Sequence, residues 1–123
     1  MIKMSFDDIQ KILSATDDPA LKLEIVMDFG AQLPPTPNDA ICTEIQGCTS
    51  RAEICRVGNR FYGNADSGIV RGIVAIMISM VDGKKPEEIK KMDLQKMFLS
   101  LNLNLGAGRL NGVNSMIRFL KNL

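Results

Sequence analysis

The sequence predicts an α+β domain in which a small antiparallel sheet of about three strands is packed against N- and C-terminal helices and a central buried helix. Residues 69–80 place apolar side chains almost all round a helix, which is typical of a helix inside a core. Residues 52–57 and 60–64 flank Gly58-Asn59, as the two strands of a hairpin would. Helical patterns lie on both sides of this middle part, and 123 residues fit one domain, 1–123.

Two amphipathic helices are predicted in the N-terminal part of the chain. Ser5 is suited to cap the first, and Asp8 three residues later replaces the usual Glu of a capping box. Asp18-Pro19 predicts the start of the second, because Asp accepts bonds from free amides and Pro has no amide to satisfy. Gly30 is interpreted as the early end of that helix. The apolar face of the first helix consists of Phe6, Ile9, Ile12 and Leu13.

The middle of the chain changes from helical to extended character. Residues 33–39, "LPPTPND", contain three prolines, which exclude a helix and a central strand and predict an extended surface connector. Residues 52–57 alternate in side-chain character, and the Gly58-Asn59 pair favours a two-residue turn into residues 60–64. Ile45 and Gln46 are the weaker candidate for a third strand. The sequence therefore predicts one hairpin and a further strand before it.

The C-terminal half is predicted to be helical. The central helix covers residues 68–81 and ends at Asp82-Gly83. A short helix starts at Pro86, with acids in its first turn and lysines in its last, as the helix dipole favours. Another helical segment follows at 94–101, and glycines at 106 and 108 loosen the chain before a last amphipathic helix. The apolar face of that last helix consists of Leu110, Val113, Ile117 and Leu120.

Charge and hydropathy exclude two classes of partner. The chain carries 15 basic and 14 acidic residues, whereas a nucleic-acid-binding domain is normally strongly basic. The longest apolar run, residues 73–81, contains Ser79 and is far too short to span a bilayer. Residues 1–10 lack the apolar core of a signal peptide. The sequence therefore predicts a protein that binds neither nucleic acid nor membrane.

Histidine is absent from the sequence, and this limits the chemistry available. Without histidine, the chain cannot form a Ser-His-Asp triad or a Cys-His pair. It likewise cannot form a His-ligated zinc site or use histidine in acid–base catalysis. Three cysteines, an odd number without an export signal, predict free thiols in a reducing compartment and hence a cytoplasmic location.

The three cysteines differ in their surroundings. Their C-x5-C-x6-C spacing matches no zinc or ferredoxin pattern, so we predict no metal site. Cys55 in a predicted strand and Cys42 in the connector are interpreted as small apolar side chains without a chemical role. Cys48 follows Gly47 at a predicted bend, where a side chain projects from the chain. Arg51 nearby is expected to lower the pKa of the Cys48 thiol.

Four stretches together resemble the SufE family of sulfur acceptors. They are "QLPPTP" at 32–37, "IQGCTS" at 45–50, "IVRGIVAIM" at 69–77 and "GRLNGVNSMI" at 108–117. Each is weak alone, but all four stand in the family's order and spacing, and the match runs from about residue 21 to residue 121. The resemblance implies a SufE/IscU-like fold, a small antiparallel sheet packed with helices.

The resemblance also implies a function and a partner. Cys48 would accept persulfide sulfur from a cysteine desulfurase, stimulate that enzyme and pass the sulfur to an iron–sulfur cluster scaffold. The exchange is akin to thiol–disulfide exchange and needs one nucleophilic sulfur. Pyridoxal phosphate belongs to the desulfurase, so this chain is expected to bind no cofactor. A sulfur-carrying accessory protein is favoured over an autonomous enzyme.

Further residues are carried over from the family with less weight. Gly47 would allow the bend, and Ser50 would either hold the thiolate or persulfide or make a local turn hydrogen bond. Gly47, Ser50, Arg51 and Arg109 are the candidates for partner binding, of which Arg109 matches the family's arginine before the last helix. The alternative for Arg109 is a solvated cation at a helix start, which the helix dipole disfavours. The chain departs from the family pattern in three places, which are Gln46, Glu53 and residues 104–108.

Two other interpretations remain open from the sequence. An IscU-like scaffold that binds an iron–sulfur cluster through cysteines fits the cysteine count, although not the spacing. A pure interaction module with three inert cysteines is the second. The sequence also leaves open whether the chain works alone or as a homodimer.

Overall fold

The computed structural model describes residues 4–123 and confirms the predicted α+β class. A three-stranded antiparallel sheet lies in the middle of the chain, with helices contributed from both sides of it in sequence. The helices are α1 (Phe6–Ser14), α2 (Pro19–Ala31), α3 (Gly68–Val81), α4 (Pro86–Ile89), α5 (Leu94–Leu99) and α6 (Ala107–Lys121). The strands are β1 (Ile41–Glu44), β2 (Ala52–Val57) and β3 (Arg60–Ala65).

The N-terminal helices begin where the capping residues predict. The Ser5 hydroxyl accepts a hydrogen bond from the Asp8 amide at 3.1 Å, and the Ser5 amide donates to the Asp8 carboxylate at 3.2 Å. The Asp18 carboxylate accepts from the Ala20 amide at 3.0 Å and caps α2, with Pro19 in its first turn. Local hydrogen bonding therefore sets both helix starts, as the sequence indicates.

The prediction that Gly30 ends α2 is wrong, because the helix continues to Ala31. Gly30 instead lies where α2 crosses α3, and a Cβ atom at Gly30 would come within 2.6 Å of the Gly72 amide nitrogen. A Cβ atom at Gly72 would in turn collide with the Val26 carbonyl oxygen. The two glycines allow the helix backbones to approach closely, so Gly30 marks a helix crossing rather than a helix end.

The sheet order is β1-β2-β3, with both neighbouring pairs antiparallel. The predicted turn at Gly58-Asn59 is confirmed, and Gly58 has the positive φ of +59° that such a turn requires. The third strand covers residues 41–44 rather than Ile45 and Gln46, because the chain turns at Gln46 and Gly47. β1 is an edge strand, and all four of its side chains are exposed.

Helix α3 forms the centre of the core, as its apolar character predicts. Ten of its residues are buried, and its Val74 side chain packs on the sheet at Gly63, where a Cβ atom would come within 2.5 Å of Val74 Cγ1. Arg71, the one charged residue of α3, donates from its guanidinium to the Ala65 carbonyl at 3.1 and 3.2 Å. The charge of α3 is therefore accommodated at the end of β3.

The prediction of three free thiols is wrong for two of the cysteines. Cys42 in β1 and Cys55 in β2 stand directly opposite each other in the ladder, with Cα atoms 4.0 Å apart, and are joined by a disulfide. Cys55 is buried as expected, but Cys42 is an exposed strand residue and not part of the connector. The argument for a reducing compartment from free thiols therefore loses its basis. Within residues 4–123, no helix combines the length and the apolar character needed to cross a membrane.

Candidate functional site

The loop between β1 and β2, residues 45–51, carries Cys48 and depends on glycine at position 47. Gly47 has a φ of +86°, a conformation that other residues rarely adopt. A Cβ atom at Gly47 would also come within 2.8 Å of the Ser115 hydroxyl oxygen on α6. Gly47 is therefore required twice, for the backbone conformation and for the close approach of the loop to α6.

Small residues on one face of α6 receive this loop. A Cβ atom at Gly108 would come within 2.9 Å of the Thr49 methyl carbon, and one at Gly112 would come within 3.0 Å of Cys48 Sγ. Gly108, Gly112 and Ser115 are spaced by four and three residues, so they share one helix face. No packing role was predicted for them, although small residues at helical spacing are visible in the sequence.

Cys48 lies half-buried in a crevice between its own loop, α3 and α6. The cavity has a volume of about 10 Å³. That volume accommodates roughly one water-sized atom. The crevice therefore has room for roughly one water-sized atom beside the thiol. The other residues lining the crevice are Thr49, Val70, Ile73, Arg109, Gly112 and Met116.

Burial sets the protonation state of Cys48. Removal from water raises the pKa of the Cys48 thiol above its ordinary value of 9.0, since the thiolate is the form that loses hydration. The expectation that Arg51 lowers this pKa is wrong. The Arg51 guanidinium pairs with the Glu53 carboxylate at 3.2 Å and with Glu44 at 3.9 Å. Arg51 thus bridges acids at the base of the loop, and the resting thiol is protonated near neutral pH.

The ion pair of Arg51 also explains one departure from the family pattern. Glu53 is half-buried and accepts from the Arg51 guanidinium, whose other contact is Glu44 on the neighbouring strand. These groups join the two strand ends from which the Cys48 loop emerges. We therefore assign Glu53 and Arg51 a local role in joining the ends of β1 and β2.

Of the two remaining candidate residues, Arg109 lines the crevice and Ser50 does not. Arg109, in the first turn of α6, lines the crevice together with Cys48, and within residues 4–123 it has no ion-pair partner. The Ser50 hydroxyl oxygen is buried and has no hydrogen-bond partner in the described part of the chain. The local turn hydrogen bond considered for Ser50 is therefore not formed there.

Among residues 4–123, one group of potential metal ligands is found, and Cys48 is not a member of it. Cys42, Glu53 and Cys55 place their ligand atoms within 4.8 Å of one another. Both sulfur atoms of this group are joined in the disulfide, so neither can act as a thiolate ligand in this state. A larger surface cavity of about 310 Å³ lies elsewhere, between the C-terminal end of α2, the proline connector and β3.

The geometry defines a class of protein, a small α+β domain that shelters one free thiol beside a helix face of small residues. The model of the SufE family, described as an Fe-S metabolism associated domain, matches residues 7–123. The chain therefore belongs to the SufE family, and the resemblance identified from the sequence is confirmed.

Similar proteins agree with this assignment. An uncharacterized SufE-like protein of Rhizobium meliloti (strain 1021) is 31% identical, with 95% of this chain and 92% of that protein covered. The sulfur acceptor protein CsdE of Escherichia coli (strain K12) is 32% identical over 97 residues, covering 72% of this chain and 66% of CsdE. The solution structure of a hypothetical protein from Thermus thermophilus has a TM-score of 0.66 at 15% identity, covers 97% of this chain and 94% of that one, and shares the fold.

Proposed function

We propose that this protein is a sulfur acceptor in iron–sulfur metabolism and that Cys48 carries the sulfur. In this proposal Cys48 takes persulfide sulfur from a cysteine desulfurase, stimulates that enzyme and passes the sulfur to a cluster scaffold. The observation that carries the proposal is the position of Cys48, the free thiol of the chain, in a crevice with room for about one further atom.

The transfer needs only one sulfur from this chain. The Cys48 thiolate attacks the outer sulfur of the persulfide on the desulfurase, the sulfur–sulfur bond of that persulfide breaks, and the desulfurase cysteine leaves as a thiolate. Cys48 then bears the additional sulfur. A thiolate of the scaffold attacks this outer sulfur in the same way and regenerates the Cys48 thiol. No step requires histidine or a cofactor bound to this chain.

Burial of Cys48 gives this cycle a resting state. The raised pKa keeps the thiol protonated, and a protonated thiol is a poor nucleophile. Movement of the loop towards solvent would remove the desolvation and increase the thiolate fraction. We infer that contact with the desulfurase draws the loop out of the crevice. The Cys48 thiol would then become reactive only when the desulfurase is bound.

Two further features support the proposal. Arg109 lines the crevice without an ion-pair partner among residues 4–123, so it is available to an acidic group of the desulfurase or to a persulfide anion. The E. coli relative CsdE carries the name sulfur acceptor protein, which describes the same chemistry.

The scaffold alternative is less well supported. A cluster is held by several thiolates, whereas Cys42 and Cys55 are joined to each other and the crevice at Cys48 has a volume of about 10 Å³. We therefore favour a carrier over a scaffold, and a carrier over an autonomous enzyme, because the desulfurase performs the cleavage of the carbon–sulfur bond.

The proposal is tested by incubating the protein with a cysteine desulfurase and cysteine and mapping the product by mass spectrometry. We expect the mass of one or more sulfur atoms to be added at Cys48 and to be removed by a thiol reductant. The Cys48→Ser variant should gain no sulfur and should not stimulate the desulfurase. Sulfur on Cys42 or Cys55, or on no cysteine, would refute the proposal, and a visible-range cluster spectrum after reconstitution with iron and sulfide would favour the scaffold.

A further inference from the structure

The disulfide joins a weakly held edge strand to the centre of the sheet. All four side chains of β1 are exposed, and Ile41 is 78% exposed, so almost no apolar burial holds this strand. Its attachment rests on the ladder with β2, the buried side chain of Ile45 that follows it, and the Cys42–Cys55 bond. Of these three, the Cys42–Cys55 bond is the one that reduction breaks and oxidation forms again.

The same strand is one of the two stems of the loop that carries Cys48. β1 ends at Glu44 and the loop begins at Ile45, so the disulfide closes a segment that contains the whole loop. A cross-link of this kind removes conformations in which the two stems separate. Without it, opening of β1 would allow the loop to move away from Gly112 and the small-residue face of α6.

We propose that the Cys42–Cys55 pair is a redox-operated clamp on the Cys48 loop. The disulfide holds β1 against β2 and keeps Cys48 in its crevice, whereas the dithiol form releases the edge strand and increases the exposure of Cys48. The clamp is independent of what Cys48 carries and goes beyond the sulfur-acceptor function. It gives the two additional cysteines a role that differs from that of Cys48.

The opening reaction is directed by the unequal burial of the two sulfurs. A dithiol reductant attacks Sγ of exposed Cys42, the disulfide breaks, and Cys55 leaves and takes a proton from water. The second thiol of the reductant then displaces Cys42, so that two electrons reach the pair and the reductant becomes a cyclic disulfide. A small-molecule disulfide reverses the reaction and is itself reduced to thiols.

Glu53 opposes this opening. Its carboxylate oxygen lies 3.9 Å from Cys55 Sγ, and Cys55 is fully buried. A thiolate forming at Cys55 would therefore lose hydration and lie beside the Glu53 carboxylate, whose other oxygen is paired with Arg51. Burial and the charge that remains on this carboxylate both disfavour the thiolate. Since a poorer leaving thiolate leaves more slowly, Glu53 should slow reduction of the disulfide.

The test compares Cys48 in the two redox forms of the native protein, without a desulfurase. Protein oxidised with a small-molecule disulfide, and checked by mass to retain one free thiol, is alkylated with iodoacetamide at fixed pH, and the rate at Cys48 is measured by peptide mass spectrometry. The measurement is repeated on protein reduced with a dithiol. Because the cross-link closes a short segment, we expect alkylation of Cys48 to be at least about fivefold faster in the reduced form.

Matched variants separate the clamp from a general effect of reductant. Cys42→Ser, at an exposed position, should react at Cys48 at the fast rate whether or not reductant is present. Glu53→Gln should accelerate reduction of the disulfide several-fold. Alkylation of Cys48 in this variant should stay slow as long as the Cys42–Cys55 disulfide is intact. Equal rates at Cys48 in the two redox forms would overturn the proposal, as would failure of Cys42 and Cys55 to pair under oxidation. Neither outcome depends on sulfur transfer, so the clamp and the proposed function can fail separately.

Discussion

The Sγ atom of Cys48 lies over the backbone of Gly112, where a Cβ atom would come within 3.0 Å of it. The same hypothetical Cβ atom would lie 3.4 Å from Cys48 Cα and 3.5 Å from Cys48 Cβ. A methyl group at position 112 therefore requires Cys48 to shift by a few tenths of an ångström. The burial of Cys48, and with it the raised pKa of the thiol, depends on a glycine in a different element.

The Gly112→Ala variant is expected to push Cys48 towards solvent. The added methyl group would stand only 3.0 Å from Cys48 Sγ and press the sulfur away from α6. The helix itself should not be weakened, because Ala has a higher helix propensity than Gly by about 1 kcal/mol. We expect a severalfold faster alkylation of Cys48 at neutral pH, measured by peptide mass spectrometry. Asn114→Ala, on an exposed face of the same helix, is the control and should leave the rate unchanged. An unchanged rate in Gly112→Ala would contradict the packing of Cys48 on α6.

The pH dependence of stability should reveal the buried thiol. Because burial raises the pKa of Cys48 in the folded state above its ordinary value of 9.0, the folded protein binds more protons than the unfolded protein above about that pH. The contribution of Cys48 to the free energy of unfolding is therefore fully present below pH 9.0 and is lost as pH rises through the folded-state pKa. Subtracting the profile of Cys48→Ser, measured by urea unfolding of the oxidised proteins, removes the other groups that titrate there. A difference between the two profiles that does not change with pH would show that Cys48 is not buried.

Substitution of Gly47 should destabilise the protein through two separate terms. Gly47→Ala forces a Cβ atom into the left-handed region, which costs roughly 1–2 kcal/mol, and brings it against the Ser115 hydroxyl. Gly83→Ala has a similar φ of +82° but open space around its Cβ position, so it measures the first term alone. We expect the urea midpoint to fall further for Gly47→Ala than for Gly83→Ala.

A double variant tests the contact between the new Cβ atom at position 47 and the Ser115 hydroxyl. Ser115→Ala removes the hydroxyl oxygen that the new Cβ atom would meet, so the destabilisation by Gly47→Ala should be smaller in the Ser115→Ala background. If the two destabilisations are the same in both backgrounds, the loop does not approach α6 at Ser115.

The two arginines near the loop should differ in their effects on sulfur transfer. Arg109 lines the crevice without an ion-pair partner among the described residues, whereas Arg51 is paired with Glu53 and Glu44. We expect Arg109→Gln to reduce transfer from a desulfurase to Cys48 by about tenfold, as loss of one charge-assisted contact would. Arg51→Gln should change transfer little and the free energy of unfolding by less than about 1 kcal/mol, because the Arg51 side chain is about half exposed to solvent. Equal effects of the two substitutions on transfer would contradict a specific role for Arg109.

Much of the architecture could be predicted from short stretches of sequence. Ser5 and Asp18 set helix starts through hydrogen bonds to amides two or three residues away. The Gly58-Asn59 turn and the apolar helix at 68–81 were likewise predicted from adjacent residues and from side-chain periodicity. The prediction that Gly30 ends α2 fails because one stretch of sequence does not distinguish a glycine that ends a helix from a glycine at a close helix crossing.

The sequence by itself determined the N-terminal helix starts, the Gly58-Asn59 turn, the central helix and the identity of Cys48 as the candidate thiol, but it misplaced the first strand. These depend on interactions within a few residues and on a motif readable along the chain. Only the tertiary structure decided which groups meet: that Cys42 bonds to Cys55, that Arg51 is held by Glu53, and that Cys48 is half-buried rather than exposed. The strand register, the helix crossing and the loss of water around the thiol arise from contacts between segments distant in sequence, and no local pattern encodes them.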